Sequence, residues 1–213
     1  MNPRRRKDSL KTRKKLLNAA IKVFSKKGFR DATVIEICTL AGANVAAVNY
    51  HFGSKEALYR EAWRYAFLES LKKHPAPNED ESLPPDELLK AHIRSIVYRV
   101  SDPENREISI LFKEISNPTG LLDEVIEEEL TPLKENTEKL LKRLLGPYVP
   151  ETEVKFSAIS IVSQCMNPLL FQRAKKTDEL NDIQDVDAYV EHVFLFSLLG
   201  IQGIRAKYEN REP

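Results

Sequence analysis

The fold is decided by residues 33–58, which read TVIEICTLAGANVAAVNYHFGSKEAL. Apolar residues recur at intervals of three or four positions, as expected for two short helices joined by a turn that contains glycine. Thr33 can cap the first of these helices, and Asn44 is well suited to begin the second. Val48 and Phe52 are four residues apart and can face the preceding helices. This pattern predicts a helix-turn-helix.

A longer helical pattern precedes this stretch, over about residues 9–27. Its apolar residues share one face of the helix, while Lys and Arg occupy the other faces. Gly28 follows as the expected left-handed cap. The apolar face consists of Leu16, Leu17, Ala20, Ile21 and Phe24. Three short helices are therefore predicted near the N-terminus.

The rest of the chain is predicted to be helical. Ser54 is an N-cap candidate for a fourth helix that runs to about Lys73, and a polar, proline-rich loop follows from His74 to Pro85. Five further helices are predicted at roughly 85–101, 103–116, 120–145, 152–173 and 185–208.

Prolines, glycine and caps set the expected ends of these helices. Pro103, after Ser101 and Asp102, is expected at the first position of its helix. Pro132 and Pro168 should each kink or end a helix. Other expected boundaries are a stop at Gly146-Pro147 and a cap at Asp185.

We therefore expect an all-α chain with two domains. Residues 1–54 are predicted to form an N-terminal three-helix helix-turn-helix DNA-binding domain. Residues 55–213 are predicted to form a second domain, a helical bundle.

The charge distribution supports the same division. Residues 1–55 contain 13 Lys and Arg against 3 Asp and Glu, whereas residues 56–213 contain 20 against 29. A basic segment on an acidic body is typical of nucleic-acid-binding proteins. The basic run at residues 4–7 alone could be a solvated tail, but the remaining basic residues lie on patterned helices.

Several function classes are not supported. No apolar run approaches a membrane span, and no signal peptide is recognisable, so a cytoplasmic location is expected. Cys38 and Cys165 show no metal-type spacing and are expected to be buried, reduced thiols. Neither a catalytic constellation nor a glycine-rich phosphate loop occurs, so we predict no enzyme activity, no metal and no cofactor.

At residues 12–58 the chain closely resembles the DNA-binding domain of the TetR family of repressors. The resemblance is without gaps, and its most specific elements are Gly28-Phe29, Ala41-Gly42 and Tyr50 to Lys55. Asn49 departs from the pattern, because many members have an aromatic residue there that often contacts a phosphate. The resemblance implies a homodimer that binds double-stranded operator DNA and pairs through its last two helices. It also implies that the helical bundle of residues 55–213 is the ligand-binding (effector-binding) and dimerisation domain.

The resemblance also places the third helix in the major groove. Its exposed positions are mostly small and apolar, so contacts with thymine methyl groups and DNA shape are expected beside hydrogen bonds from Asn49 or Tyr50. Thr33, Tyr50, His51 and Lys55 are expected to contact phosphates. The predicted DNA-binding residues are Thr33, Asn44, Val45, Ala46, Ala47, Asn49, Tyr50, His51 and Lys55.

The last predicted helix is apolar around most of its circumference, which indicates burial on more than one side. It can be a central core helix, or it can pack partly on a second copy. The helices between residues 85 and 173 would then enclose a small-molecule effector. The residues expected to contact it are His92, Tyr98, Phe112, Phe156, Gln164, Met166 and Phe171. A kink at Pro168 would leave the Gln164 carbonyl without its helical partner.

Two short stretches, Phe112 to Pro118 and Ser163 to Cys165, resemble the CecR-like subgroup of the family. That subgroup is described as sensing antibiotics or related toxic compounds, which implies a hydrophobic or antibiotic-like effector that releases the repressor from its operator. Two alternatives stay open from the sequence: a DNA-binding regulator without a small-molecule ligand, controlled by a protein partner or constitutive, and an activator.

Overall fold

The computed structural model describes residues 3–77, 83–173, 183 and 185–209. This part of the chain is helical and contains no strand, as the sequence predicts. Its helices are α1 (Pro3–Asp31), α2 (Val34–Ala41), α3 (Ala46–Phe52), α4 (Lys55–Lys73), α5 (Pro85–Ser101), α6 (Arg106–Ser116), α7 (Asp123–Leu145), α8 (Glu151–Arg173) and α9 (Val186–Glu209).

The chain divides into two compact units. The N-terminal unit comprises Met1–Ser70 and Glu104–Glu129, and the C-terminal unit comprises Leu71–Pro103 and Leu130–Pro213. The predicted boundary between functional domains, at residues 54 and 55, stays a prediction, because a compact unit need not coincide with a functional domain.

In the N-terminal unit, α1 packs against α2, α3 and α6. The apolar face predicted for the first helix is buried, with Leu16, Ala20 and Phe24 fully inaccessible to water. Tyr59 of α4 meets Phe24 edge-on at a ring distance of 4.7 Å. Burial of large aromatic rings is the strongest apolar contribution that a core of this size can gather.

Most predicted helix caps in this unit are confirmed. The Thr33 side chain accepts a hydrogen bond from the Glu36 amide at 3.2 Å, and Ser54 accepts one from the Ala57 amide at 3.1 Å. Gly42 ends α2 in the left-handed region, at φ 63° and ψ 41°. These side chains and this glycine satisfy backbone groups that a helix end leaves unpaired.

Two expectations for α1 are wrong. The helix begins at Pro3 rather than near residue 9, and it continues to Asp31 beyond a break at Gly28. Gly28 has φ 77° but ψ −176°, which is an extended glycine conformation and not the expected left-handed cap. A β-carbon at Gly28 would lie 3.4 Å from the Lys113 Cβ, so α6 approaches the break closely.

The expected start of α6 is also wrong. The helix begins at Arg106, and the Asn105 side chain caps it by accepting the Glu107 amide at 3.1 Å. The Asp102 carboxylate is already bound by Lys73 at 2.7 Å and by His74 at 3.1 Å. Because Asp102 has these partners, Pro103 does not take the first helical position.

The prolines inside the predicted helices do not end them. Helix α7 continues through Pro132, and α8 continues through Pro168 to Arg173. The side chains of residues 167–173 lie outside the described part, as do residues 78–82 of the predicted loop. The stop at Gly146 and the cap at Asp185 are confirmed.

The C-terminal unit has a core formed by α5, α7, α8 and α9. Its centre contains the fully buried residues Ile93, Val97, Leu141, Cys165 and Val190. Helix α5 packs against α8 and α9, which also pack against each other. In the described ranges, no helix combines the length and the apolar character that crossing a membrane requires.

Replacing Asn105 by Ala should lower the free energy of unfolding by about 1–2 kcal/mol, because the first turn of α6 loses its cap and the Ser70 hydroxyl loses the hydrogen bond that Asn105 Nδ2 donates at 2.9 Å. Urea unfolding measures this change. Ser101→Ala is the matched control, since the Ser101 hydroxyl is buried without a hydrogen-bond partner. A larger loss of stability for Ser101→Ala than for Asn105→Ala would indicate that α6 starts after Ser101 and Asp102, as the sequence predicts, and not after Asn105.

Candidate nucleic-acid interface

Helix α3 and the residue before it expose a mostly apolar surface. Tyr50 is 73% exposed, whereas Val48 and Phe52 are buried, as predicted. The exposed side is thus separated from the side that packs on the unit. The residues of this surface, exposed or half-buried, are Val45, Ala46, Ala47, Asn49 and Tyr50.

The first turn of α3 is fixed by Asn44. Its side-chain oxygen accepts a hydrogen bond from the Ala46 amide at 2.9 Å. The Cys38 thiol donates to the Asn44 carbonyl at 3.6 Å, which ties the turn to α2. The turn that precedes α3 is therefore bonded to both α2 and α3, and Asn44 has a structural role whether or not it contacts DNA.

Arg13 holds α3 against the rest of the unit, and sequence reasoning missed it. Its guanidinium lies over the Phe52 ring, 4.9 Å from the centroid, and pairs with the Glu61 carboxylate of α4. One side chain thus connects α1, α3 and α4. No periodic pattern could have signalled this role, because Arg13 and Glu61 lie 48 positions apart.

The side chains predicted to contact phosphates differ in how far other groups of the protein already engage them. The Thr33 side chain is engaged as a cap but keeps its hydroxyl proton for a further acceptor. The Lys55 ammonium lies over the Phe29 ring, 4.3 Å from the centroid. Lys55 begins α4, where free backbone N–H groups also attract an anion.

His51 is half-buried and packs edge-on against Tyr50. Burial, and then the nearby charge of Arg13, lower the pKa of His51 below its ordinary value. At neutral pH its imidazole is therefore mostly uncharged. It can reach a phosphate as a hydrogen-bond donor, with its ring N–H, rather than as a cation.

The residues predicted to contact an effector do not share one environment. His92 is buried, whereas Phe156 is 63% exposed on α8. Phe112 belongs to the N-terminal unit, and the side chain of Phe171 lies outside the described residues. The half-buried members are Tyr98, Phe112, Gln164 and Met166.

His92 of α5 faces Thr137 of α7, with 3.0 Å between its Nε2 and the threonine hydroxyl oxygen. The hydroxyl donates its single proton to the Leu133 carbonyl at 2.8 Å, so it accepts the hydrogen bond from the His92 Nε2–H. Burial, and then the charge of Arg99, lower the pKa of His92 to about 4. The imidazole is therefore neutral at physiological pH.

The Gln164 carbonyl has a partner that the sequence did not indicate. The Tyr189 hydroxyl of α9 donates to it at 2.8 Å. The carbonyl has no helical partner because Pro168 lacks an N–H group, and its bond to Tyr189 joins α8 to α9. Tyr98 likewise bonds to Asp187 of α9, at 2.8 Å.

The capped turn between α2 and α3, the short helix α3 and the exposed side of α3 are features of a helix-turn-helix DNA-binding protein. Residues 16–62 match the family described as bacterial regulatory proteins, tetR family. Residues 85–201, more than half of the chain, match the C-terminal domain of the HTH-type transcriptional dual regulator CecR. The chain belongs to the TetR family of transcription regulators.

Curated relatives are also transcription regulators. CecR of Shigella flexneri is 27% identical over 78% of this chain and 77% of its own length. The uncharacterized regulator YerO of Bacillus subtilis is 32% identical over 52% of this chain and 43% of its own length. The repressor NicS of Pseudomonas putida is 35% identical over 44% of each chain. The chain thus spans less than half of YerO and of NicS.

Solved structures share the fold. A TetR-like regulator from Rhodococcus sp. RHA1 superposes with a TM-score of 0.68 at 19% identity, over 90% of this chain and 96% of that one. The fatty acid degradation regulator FadR of Bacillus halodurans has a TM-score of 0.65 at 16% identity, over 93% of this chain and 96% of its own. At these identities the likeness concerns the fold alone.

The depressed pKa of His92 predicts a loss of stability in acid. Below about pH 6.5 the unfolded chain binds a proton at His92, whereas the folded chain binds it only below about pH 4. The contribution of neutral His92 to the free energy of unfolding, present at pH 7, therefore falls as the pH drops. From pH 7 to pH 5 it should fall by about 2 kcal/mol. His92→Gln, which can still bond to Thr137, should reduce the loss measured by urea unfolding by that amount. An equal loss in both proteins would contradict the assignment.

Proposed function

We propose that this protein is a homodimeric transcription repressor that binds operator DNA through α3 and leaves it when a small molecule binds the C-terminal unit. The observation that carries the proposal is the exposed side of α3, held by capped and buried anchors in a chain of the TetR family. The effector is proposed to be hydrophobic or antibiotic-like, and the protein to act in the cytoplasm.

The chemistry of α3 favours apolar readout of the bases. Val45 and Ala46 present methyl groups, and neither can form the paired hydrogen bonds by which Arg reads guanine or Asn reads adenine. Asn49 and Tyr50 supply the hydrogen-bonding groups on this surface. We therefore propose that contacts with thymine methyl groups and the shape of the duplex contribute much of the selectivity.

The outer faces of α8 and α9 support the proposed dimer. Val190, Val193 and Ile201 of α9 are buried in their own core, whereas Leu195 and Leu199 are 57% and 58% exposed. An apolar patch of this kind marks an interaction surface. The large apolar side chains exposed on these two helices are Phe156, Ile159, Leu195, Phe196 and Leu199.

A second copy fits this surface better than another partner. In the part of the chain that the structure describes, no atom from beyond their own helical turns lies within 4 Å of a β-carbon position at Gly200 or Gly203, so another helix backbone can approach closely. A two-fold dimer also supplies two recognition helices for successive major grooves, roughly 34 Å apart.

The proposed effector response rests on reciprocal coupling. An effector that prefers a conformation in which α4 has swung, so that the two recognition helices no longer match the operator, weakens DNA binding. Operator DNA must then weaken effector binding by the same factor. Support comes from the CecR-type C-terminal domain and from the neutral, buried His92–Thr137 pair, which can offer a hydrogen bond inside an apolar unit.

The test is a fluorescence-anisotropy titration of the full chain with the DNA upstream of its own gene. We expect selective binding that weakens with salt, with a log–log slope of roughly 0.9 for each phosphate neutralised. Lys55→Gln should lower that slope by about one unit, and replacing thymine by uracil in each half-site should weaken binding. A panel of hydrophobic drugs is then added to the complex, and one compound should release the DNA.

The controls separate the parts of this proposal. Lys72→Gln, on an exposed residue at the other end of α4, should leave the salt slope unchanged. Unchanged affinity for uracil-substituted DNA would exclude methyl readout. Selective binding that no compound disturbs would favour the regulator without a small-molecule ligand, and absence of selective binding would refute operator recognition by α3.

Leu199→Asp should weaken the dimer by at least about 100-fold, because it would place an unpaired carboxylate in an apolar interface. Sedimentation equilibrium measures the change. Leu68→Asp, on an exposed apolar residue of α4, is the matched control and should leave the dimer intact. A chain that is monomeric without any substitution, or a Leu199→Asp variant that stays dimeric, would exclude this face as the interface.

A further inference from the structure

A buried carboxylate lies at the end of α6. Glu114 is only 6% exposed, and its Oε2 accepts a hydrogen bond from the Tyr59 hydroxyl at 3.0 Å. Its Oε1 accepts the Thr119 amide and hydroxyl, each at 2.7 Å, and the Gly120 amide at 3.0 Å. These four donors are neutral groups, and together they engage both oxygens of the buried Glu114 side chain.

Tyr59 acts as a donor in this arrangement under all ordinary conditions. Burial, and then the charge of Glu114, raise the pKa of Tyr59 well above its usual range. Its ring also contacts Phe24 and Phe29, with centroid distances of 4.7 and 5.2 Å. The residue of α4 that binds Glu114 therefore also packs against two aromatic rings of α1.

The end of α1 meets the same segment independently. The Arg30 guanidinium donates to the Pro118 carbonyl at 3.0 Å. Gly28 lies so close to Lys113 that an added β-carbon would be in contact with it. Residues 113–120 thus bind both α4 and the last turn of α1, and the parts of the two helices that they bind belong to the unit that carries α3.

We propose that residues 113–120, with Glu114 at their centre, form a latch that fixes α1 and α4 and so sets the orientation in which α3 is presented to DNA. Glu114 is a positioning residue in this proposal, and it does not contact DNA. The effect on DNA binding rests on the proposed function, whereas the effect on the motions of the unit does not. The latch gives a structural role to Lys113, Glu114 and Pro118, which lie in the stretch Phe112 to Pro118 that sequence resemblance singled out.

The chemistry of the latch requires a carboxylate. A glutamine at position 114 keeps the length of the side chain but has one oxygen and an NH₂ group. That NH₂ group would face either the Tyr59 hydroxyl or the donors of Thr119 and Gly120. At least one side of the latch therefore opens in Glu114→Gln, and Tyr59→Phe opens only the side towards α4.

The first measurement is amide hydrogen exchange of the full chain, resolved along the sequence. In Glu114→Gln we expect exchange about tenfold faster over residues 117–121, and also over 28–32 and 55–60, because a charge-assisted bond contributes that much to an equilibrium. Tyr59→Phe should affect residues 55–60. Glu127→Gln, the same substitution at an exposed residue of α7, should change none of these segments.

The second measurement compares an operator with the same operator carrying one extra base pair between its half-sites. The insertion rotates one half-site by roughly 34°, so a dimer with fixed recognition helices must bind it more weakly. We expect the ratio of the two dissociation constants to fall by about tenfold in Glu114→Gln and in Tyr59→Phe. The ratio should be unchanged in Glu127→Gln.

The results of the two measurements distinguish a latch from other roles of Glu114. Faster exchange confined to residues 117–121 would mean that Glu114 only orders its own turn, and faster exchange throughout the unit would mean that it only stabilises the fold; either result overturns the latch. An unchanged spacing ratio in both variants would also overturn it. A wild-type protein without operator selectivity would refute the proposed function instead, and the exchange pattern would then decide on the latch alone.

Discussion

The N-terminal unit depends on the burial of one face of α1. Helices α2, α3 and α6 all pack against α1, and Leu16, Ala20 and Phe24 have no exposed surface. The seven-residue α3 cannot be stable by itself, since helices of this length gain too little from their own hydrogen bonds. Its position is therefore determined by Val48 and Phe52, which dock on the surface that α1 organises.

Local signals in the sequence account for most of the fold. Caps at Thr33, Ser54 and Asp185 are read from single side chains, and apolar periodicity places α5, α8 and α9 within about two residues of their observed ends. The errors arise where a distant residue changes a local preference. Asp102 would have capped a helix at Pro103, but its carboxylate binds Lys73 and His74. At Gly28 the close approach of α6 accompanies an extended conformation instead of a left-handed cap.

The candidate sites are only partly predictable for the same reason. The exposed side of α3 follows from helical spacing, because Val48 and Phe52 fix which side is inward. The pairs that connect the helices within each unit are not periodic: Arg13 with Glu61, Tyr59 with Glu114, and Tyr189 with the Gln164 carbonyl. Their members lie 25 to 55 positions apart, and only the tertiary structure brings them together.

The apolar character of α3 and its rigid support are connected. A long side chain such as Arg can change its rotamer and keep paired hydrogen bonds to a base when the helix shifts slightly. The short side chains of Val and Ala cannot adjust in this way, and a gap of 0.5–1 Å already loses roughly a quarter to a half of the van der Waals attraction of a methyl group. The proposed recognition surface of Val45, Ala46 and Ala47 therefore needs more accurate positioning than one made of Arg. The Asn44 cap and the Arg13 contact to Phe52 restrict α3 in the way that such a surface requires.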